Sequence, residues 1–223
     1  MHVADLSLGI LGANGIVGAG IPIALGSAVA HQVRKTGGVA VAFFGDGAMA
    51  EGVLHETLNM AALWKCPLLL VCENNGWSEF SPTSRQFAAR LENLAAAFGA
   101  PYARVNGNDV LAVADAAAQA CARLRAEEGP FVLECETTRV RGHFEGDAQK
   151  YRDAGELALV HEHDPLTAAR AQLQAGGVDT AAIDQAITVE VEAAVQAARA
   201  DALPTLERAI QDVYTRSANE AGA

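Results

Sequence analysis

Apolar residues in this chain fall into two kinds of pattern. Residues 39–44, 68–72 and 131–137 are short runs dominated by apolar residues and bounded by glycine, proline or polar residues, and 102–105 is a shorter run of the same kind. Runs of this length predict strands, and their near-continuous hydrophobicity predicts a parallel sheet buried on both faces. Helical periodicity fills the intervals. In residues 48–64, Val53, Leu54, Thr57, Leu58, Ala61 and Leu63 fall on or near one face. Residues 86–98 and 110–126 read as further helices, the second with Asp109 placed as an N-cap. Ahead of the first strand, residues 14–35 are glycine-rich and then alanine-rich, which predicts a helix packed closely on the sheet until Gly37-Gly38 stops it. Strands alternating with helices predict an α/β fold, a mostly parallel sheet flanked by helices.

Beyond the last strand the pattern changes. Residues 138–153 show no period and are rich in Arg, Gly and Asp. From residue 154 the chain becomes alanine-rich and helical. Asp164-Pro165 is a helix start, Gly176-Gly177 a break, and residues 180–202 an amphipathic helix with Ile183, Ile187, Val191 and Val195 at helical spacing. The organisation expected is an α/β domain over residues 1–153 and a helical extension, 154–223, packed on it.

Composition narrows the function. A chain of 223 residues that is 51% hydrophobic can bury a full core. Its net charge of −11 argues against a nucleic-acid or acidic-membrane partner, since either would need a basic patch. No stretch has the length and apolarity of a membrane span, and no basic-then-apolar start resembles a signal peptide. Cys66, Cys72, Cys121 and Cys135 lack metal-type spacing and read as reduced, packed thiols, which fits a cytoplasmic protein.

The chemistry concentrates at two strand ends. The strand over 39–44 runs into Gly45-Asp46-Gly47, and the strand over 68–72 delivers Glu73-Asn74-Asn75-Gly76. One carboxylate and one carboxamide thus project from the carboxyl ends of two strands joined by a helical crossover, where open α/β sheets bind ligands. Such oxygen donors suit a hard cation such as Mg²⁺, which borrows further oxygens from a bound phosphate. The glycines let backbone approach that phosphate, and the following helix offers its N-terminus to the negative charge.

At these residues the sequence resembles thiamine-diphosphate enzymes, whose diphosphate motif opens with Gly-Asp-Gly and closes with Asn-Asn. Gly12-Ala-Asn-Gly-Ile-Val-Gly18, Asn59-Met-Ala-Ala-Leu-Trp-Lys65, Cys72-Glu-Asn-Asn75, Arg141-Gly-His143 and Tyr151-Arg152 extend the likeness to alpha subunits of acetoin and 2-oxo acid dehydrogenase complexes. Gly142-His-Phe-Glu-Gly-Asp147 looks more like the acetoin than the pyruvate branch. The resemblance implies the thiamine-diphosphate-binding fold, with thiamine diphosphate and Mg²⁺ as cofactors. It implies Asp46, Asn75 and the backbone carbonyl of Trp77 as metal ligands. Gly47 and Ala48 would give backbone N–H groups to the terminal phosphate, and Gly15 and Val17 would contact the middle of the cofactor. His143 is implied as the catalytic residue that also meets the cofactor region and orients or protonates reacting groups. Arg139 and Arg141 could pair with phosphate or with loop carboxylates. His55, His161 and His163 read as structural.

The same resemblance implies a beta subunit that supplies the glutamate activating the cofactor, in an α₂β₂ assembly. It also implies a lipoyl-bearing acetyltransferase component that receives the acetyl group. The implied reaction cleaves the carbon–carbon bond beside a carbonyl, in acetoin or alternatively in pyruvate or a branched-chain 2-oxo acid. Two further readings are the cofactor-binding half of a split transketolase-like transferase and a non-catalytic assembly remnant. Family members carry a helical segment and a strand ahead of the part that matches residue 2 onward, so a truncated or shortened chain is expected.

Overall fold

The computed structural model describes residues 3–126 and 129–210. The end of the expected helical tail, 211–223, lies outside the described residues. The main sheet has four parallel strands in the order β1-β2-β6-β5, with β1 Ala40–Gly45, β2 Leu68–Asn74, β5 Tyr102–Asn106 and β6 Phe131–Glu136. A two-stranded antiparallel ribbon, β3 Trp77–Ser78 and β4 Ser81–Pro82, interrupts the loop after β2. The α/β class and the parallel sheet expected from the apolar runs are therefore present.

Helices cover both faces of the sheet. On one side lie α1 Gly20–Arg34, α2 Gly52–Trp64 and α3 Leu91–Ala97, meeting Ala40, Ala42, Phe44, Leu68, Leu70, Cys72 and Val132. On the other side α4 Val110–Arg125 buries Ala120 and Leu124 against Leu69, Val71, Phe131, Leu133 and Cys135. Strand β2 sits between both layers, which is why its five leading residues are all buried. Strand β1 differs. It is an edge strand with alternating burial, and α4 lies over β2, β5 and β6 instead. Val41 and Phe43, at 40% and 69% exposure, therefore remain open where the apolar run predicted burial on both faces.

Several helix limits differ from the sequence pattern for local reasons. Helix α1 begins only at Gly20, because residues 12–17 are exposed and the chain bends and turns over 15–19, with Gly12 and Gly18 at positive φ. A 3₁₀ turn, Asp46–Ala50, precedes α2, which starts at Gly52. Leu63 lies off the buried face of α2 and is 73% exposed. The segment expected as one helix over 86–98 is helical only from Leu91, after a 3₁₀ turn at Thr83–Arg85. Asp109 caps α4 as expected, its side chain accepting from the amides of Leu111 and Ala112.

Contacts divide the chain into two compact units, Met1–Gln172 and Leu173–Ala223. The first holds the sheet, α1 to α4, the short α5 Ala154–Leu159 capped by Asp153, and most of α6 Pro165–Ala175. The second is helical. Its α7 Thr180–Ala200 is capped by Asp179, and Ile183, Ile187, Val191 and Val195 form a half-exposed stripe along it; α8 Leu206–Ile210 follows.

The core makes a direct comparison available on one helix. Leu58 in α2 is fully buried, so Leu58→Ala should cost about 2–5 kcal/mol in urea unfolding through lost burial and the cavity left behind. Leu63→Ala, on the open side of α2, should stay within about 0.5 kcal/mol.

Candidate functional site

The register of β1 on β2 pairs Gly45 with Glu73, so the two strands reach their carboxyl ends at the same level. The chain then turns twice. After β1 the 3₁₀ turn carries Asp46, Gly47 and Ala48; after β2 the Asn74-Asn75-Gly76 turn leads into β3. Gly76 adopts a φ of 77°, the left-handed conformation that glycine takes without strain.

Asp46 is the centre of this arrangement. Only 1% of the residue is exposed. One carboxylate oxygen accepts the Asn75 amide at 3.3 Å, and the other accepts the Thr83 hydroxyl. Burial pushes its carboxyl above the usual range, partly offset by those hydrogen bonds and by the charge of Arg139. The Asn75 side-chain oxygen accepts the Trp77 amide at 3.0 Å. Asp46, Asn75 and Trp77 are thus joined in one hydrogen-bonded turn, and an amide oxygen retains a second lone pair beside that bond.

Gly47 is held against the ribbon. A Cβ there would lie 2.5 Å from Ser78 Oγ, so only glycine lets the two turns close on each other. Ala48 is buried in the same turn. Gly15 and Val17 lie in the exposed segment before α1. That segment runs up to the start of α2, where a Cβ on Gly18 would meet Val53 at 3.2 Å and Glu51 at 3.5 Å.

His143 stands in the irregular 138–153 segment. Asp147 organises that loop: its carboxylate accepts the His143 amide at 2.9 Å, the Gln149 amide at 2.9 Å and the Tyr151 hydroxyl. The Tyr151 bond leads in holding the Asp147 carboxyl below the usual range. The exposed His143 ring packs edge-on against Phe80, 5.8 Å between centroids, and Phe80 meets Tyr151 at 5.2 Å. Phe80 belongs to the β3–β4 turn, so the ribbon that holds Gly47 also touches the histidine loop. Arg141 pairs with Glu145 at 3.3 Å on the surface. Arg139 turns inward instead, donating to the Glu79 carbonyl at 2.7 Å and the Tyr151 hydroxyl at 2.8 Å while stacking on Trp77. Its Nε is buried without an acceptor.

Several contacts in this region leave no signal in the sequence. Thr83 reads as one more hydroxyl in a polar loop, yet it bonds Asp46. Glu134 is buried in the sheet, accepting from Asn74 at 2.6 Å and from Tyr102, so Asn74 is a braced turn amide. Arg152 and Glu156 reach back to Trp77 across the chain. Partners this distant leave no spacing pattern in the chain.

The raised carboxyl of Asp46 sets the sign of a pH effect. A native carboxyl titrating above its unfolded value binds protons that the unfolded chain has released, so stability falls as pH rises between the two values. Asp46→Asn keeps an acceptor for Asn75 and a partner for Thr83 without the buried charge. In cofactor-free protein it should melt above wild type at pH 7 by scanning calorimetry, and the difference should vanish as pH drops through the normal carboxylate range.

Comparison with known proteins agrees with this architecture. The family described as "Dehydrogenase E1 component" matches residues 1–210. The alpha subunit of acetoin:2,6-dichlorophenolindophenol oxidoreductase from Cupriavidus necator is 44% identical over 222 residues, covering 96% of this chain and 66% of that protein. Its namesake from Bacillus subtilis is 40% identical over 220 residues, with 96% and 66% covered. The pyruvate dehydrogenase E1 component alpha subunit of Zymomonas mobilis is also 40% identical over 220 residues, with 96% and 61% covered. The chain therefore spans just under two thirds of the length of these relatives. With a matching family model over nearly its whole length, and with this sheet and these strand-end turns, the chain belongs to the dehydrogenase E1 component family.

Proposed function

We propose that this chain is the diphosphate-anchoring part of a thiamine-diphosphate-dependent acetoin dehydrogenase alpha subunit, acting with Mg²⁺ and a beta subunit. The observation that carries the reading is the buried Asp46 carboxylate, bonded to Asn75 at the ends of adjacent strands with only neutral donors on it. A buried anion raised by desolvation gains most from a cation, and the neighbouring donors are oxygens. The buried, acceptorless Nε of Arg139 nearby is a second sign, since it suits an anionic group. The residues thus fit a hard cation with a diphosphate.

In this reading Asp46, the side-chain oxygen of Asn75 and the Trp77 carbonyl hold Mg²⁺, whose role is anchoring. The Gly47 and Ala48 amides face the terminal phosphate, and Gly15 and Val17 contact the middle of the cofactor. When bound, thiamine diphosphate supplies the electron sink for breaking a carbon–carbon bond beside a carbonyl. His143 orients the reacting carbonyl and moves a proton there, with Asp147 holding its backbone. The beta subunit completes the site in an α₂β₂ assembly, and the acetyl group passes to a lipoyl-bearing acetyltransferase component. No helix among the described residues is long and apolar enough to cross a membrane, and a cytoplasmic site of action is proposed.

Acetoin is favoured by the 141–147 loop and by the relatives from Cupriavidus necator and Bacillus subtilis, which bear acetoin in their names. Pyruvate is the second reading, favoured by the 40% identity to the Zymomonas mobilis relative, the same as to the Bacillus subtilis one. The test is the thermal shift on adding thiamine diphosphate with Mg²⁺ to the chain assembled with its beta partner. A shift abolished by EDTA is expected. Asp46→Ala should weaken binding about a hundredfold, about 2.7 kcal/mol. An unchanged shift in that variant would overturn the site. Turnover of acetoin against pyruvate then decides the substrate.

A further inference from the structure

Trp77 is held far more elaborately than a loop residue needs. Its indole N–H donates to Glu156 Oε1 at 2.9 Å. That same oxygen accepts from Arg152 Nε at 3.0 Å and Nη2 at 2.6 Å. The Arg152 side chain is 1% exposed, and its remaining donor, Nη1, binds the Arg139 carbonyl at 2.8 Å and Gln149 Oε1 at 2.7 Å. Both guanidiniums stack on the indole, Arg139 at 5.5 Å and Arg152 at 5.9 Å from the ring centroid, and Tyr151 packs against its edge at 5.4 Å.

Trp77 also holds the site. Its backbone N–H donates to the Asn75 side-chain oxygen, and Asn75 in turn donates its own amide to Asp46. We propose that Glu156, braced by the buried Arg152, is a positioning residue that acts through Trp77 to fix the side-chain oxygen of Asn75. A surface ion pair would contribute little, but this one is closed around a buried guanidinium whose three nitrogens are all hydrogen-bonded. Removing the indole bond leaves the planar ring less tightly fixed, and the Asn75 oxygen then samples more orientations. An oxygen that must meet a small cation at a set distance loses affinity when it wanders.

The inference rests on the metal-anchoring reading above, and two measurements separate them. The first needs no cofactor: amide hydrogen exchange at Trp77 reports its bond to Asn75 directly. Trp77→Phe and Glu156→Ala should each speed that exchange about tenfold in the full chain. The second is calorimetric titration of Mg²⁺ at saturating thiamine diphosphate, using the chain assembled with its beta subunit. Each variant should bind Mg²⁺ about tenfold more weakly. The double variant should be no weaker than the weaker single one, because both act on one chain of contacts.

A merely structural role would lower the melting temperature of both variants while leaving the Trp77 exchange and the Mg²⁺ affinity within twofold of wild type. That outcome, alongside loss of Mg²⁺ binding in Asp46→Asn, would overturn the positioning role and leave the metal site standing. Unchanged Mg²⁺ binding in Asp46→Asn would overturn both.

Discussion

A carboxylate buried at the end of a parallel strand, hydrogen-bonded among the described residues to an amide and a hydroxyl, is the constraint around which this structure is organised. Desolvation opposes its charge, and an amide and a hydroxyl offset only part of that cost. The surroundings are arranged to keep it there. Strands β1 and β2 end level, Gly47 lets the two turns touch, and Thr83 returns from the ribbon to cap the second oxygen. Local stability is given up at the point where a cation would recover it, as expected when strain or burial is concentrated at a binding site.

The second organising feature is the way the 138–153 segment is tied to the same turns. It has no regular structure, yet Asp147 closes the histidine loop on itself. Arg139, Tyr151 and Arg152 gather around Trp77. Trp77, two residues after Asn75, is therefore shared with the segment that carries His143. Placement of His143 and placement of the Asn75 oxygen draw on common contacts, so the anchoring and reacting parts of the proposed site are mechanically one piece.

The sequence made the sheet legible because its signals are local. Continuous apolar runs gave β2 and β6, and Asp109 gave the start of α4. Residues 45–47 and 74–75 were readable as strand-end turns because glycine and asparagine have few other reasons to follow a buried strand. What stayed hidden depends on tertiary placement. The open face of β1 follows from where α4 lands, and Val41 and Phe43 look no different from buried strand residues in the chain. The late start of α1 reflects turns that a glycine-rich, helix-like pattern does not reveal. Thr83, Glu134 and Glu156 find partners distant in sequence, which no spacing rule anticipates.

The central claim is that Asp46 and Asn75 hold a divalent cation only together with a diphosphate. Electron paramagnetic resonance of Mn²⁺ tests it most directly, because free and bound ion give different spectra. The account predicts one tightly bound Mn²⁺ per chain when thiamine diphosphate is present, weak binding when it is absent, and loss of the tight site in Asp46→Asn. Tight binding that survives in Asp46→Asn, or that is indifferent to thiamine diphosphate, would contradict it.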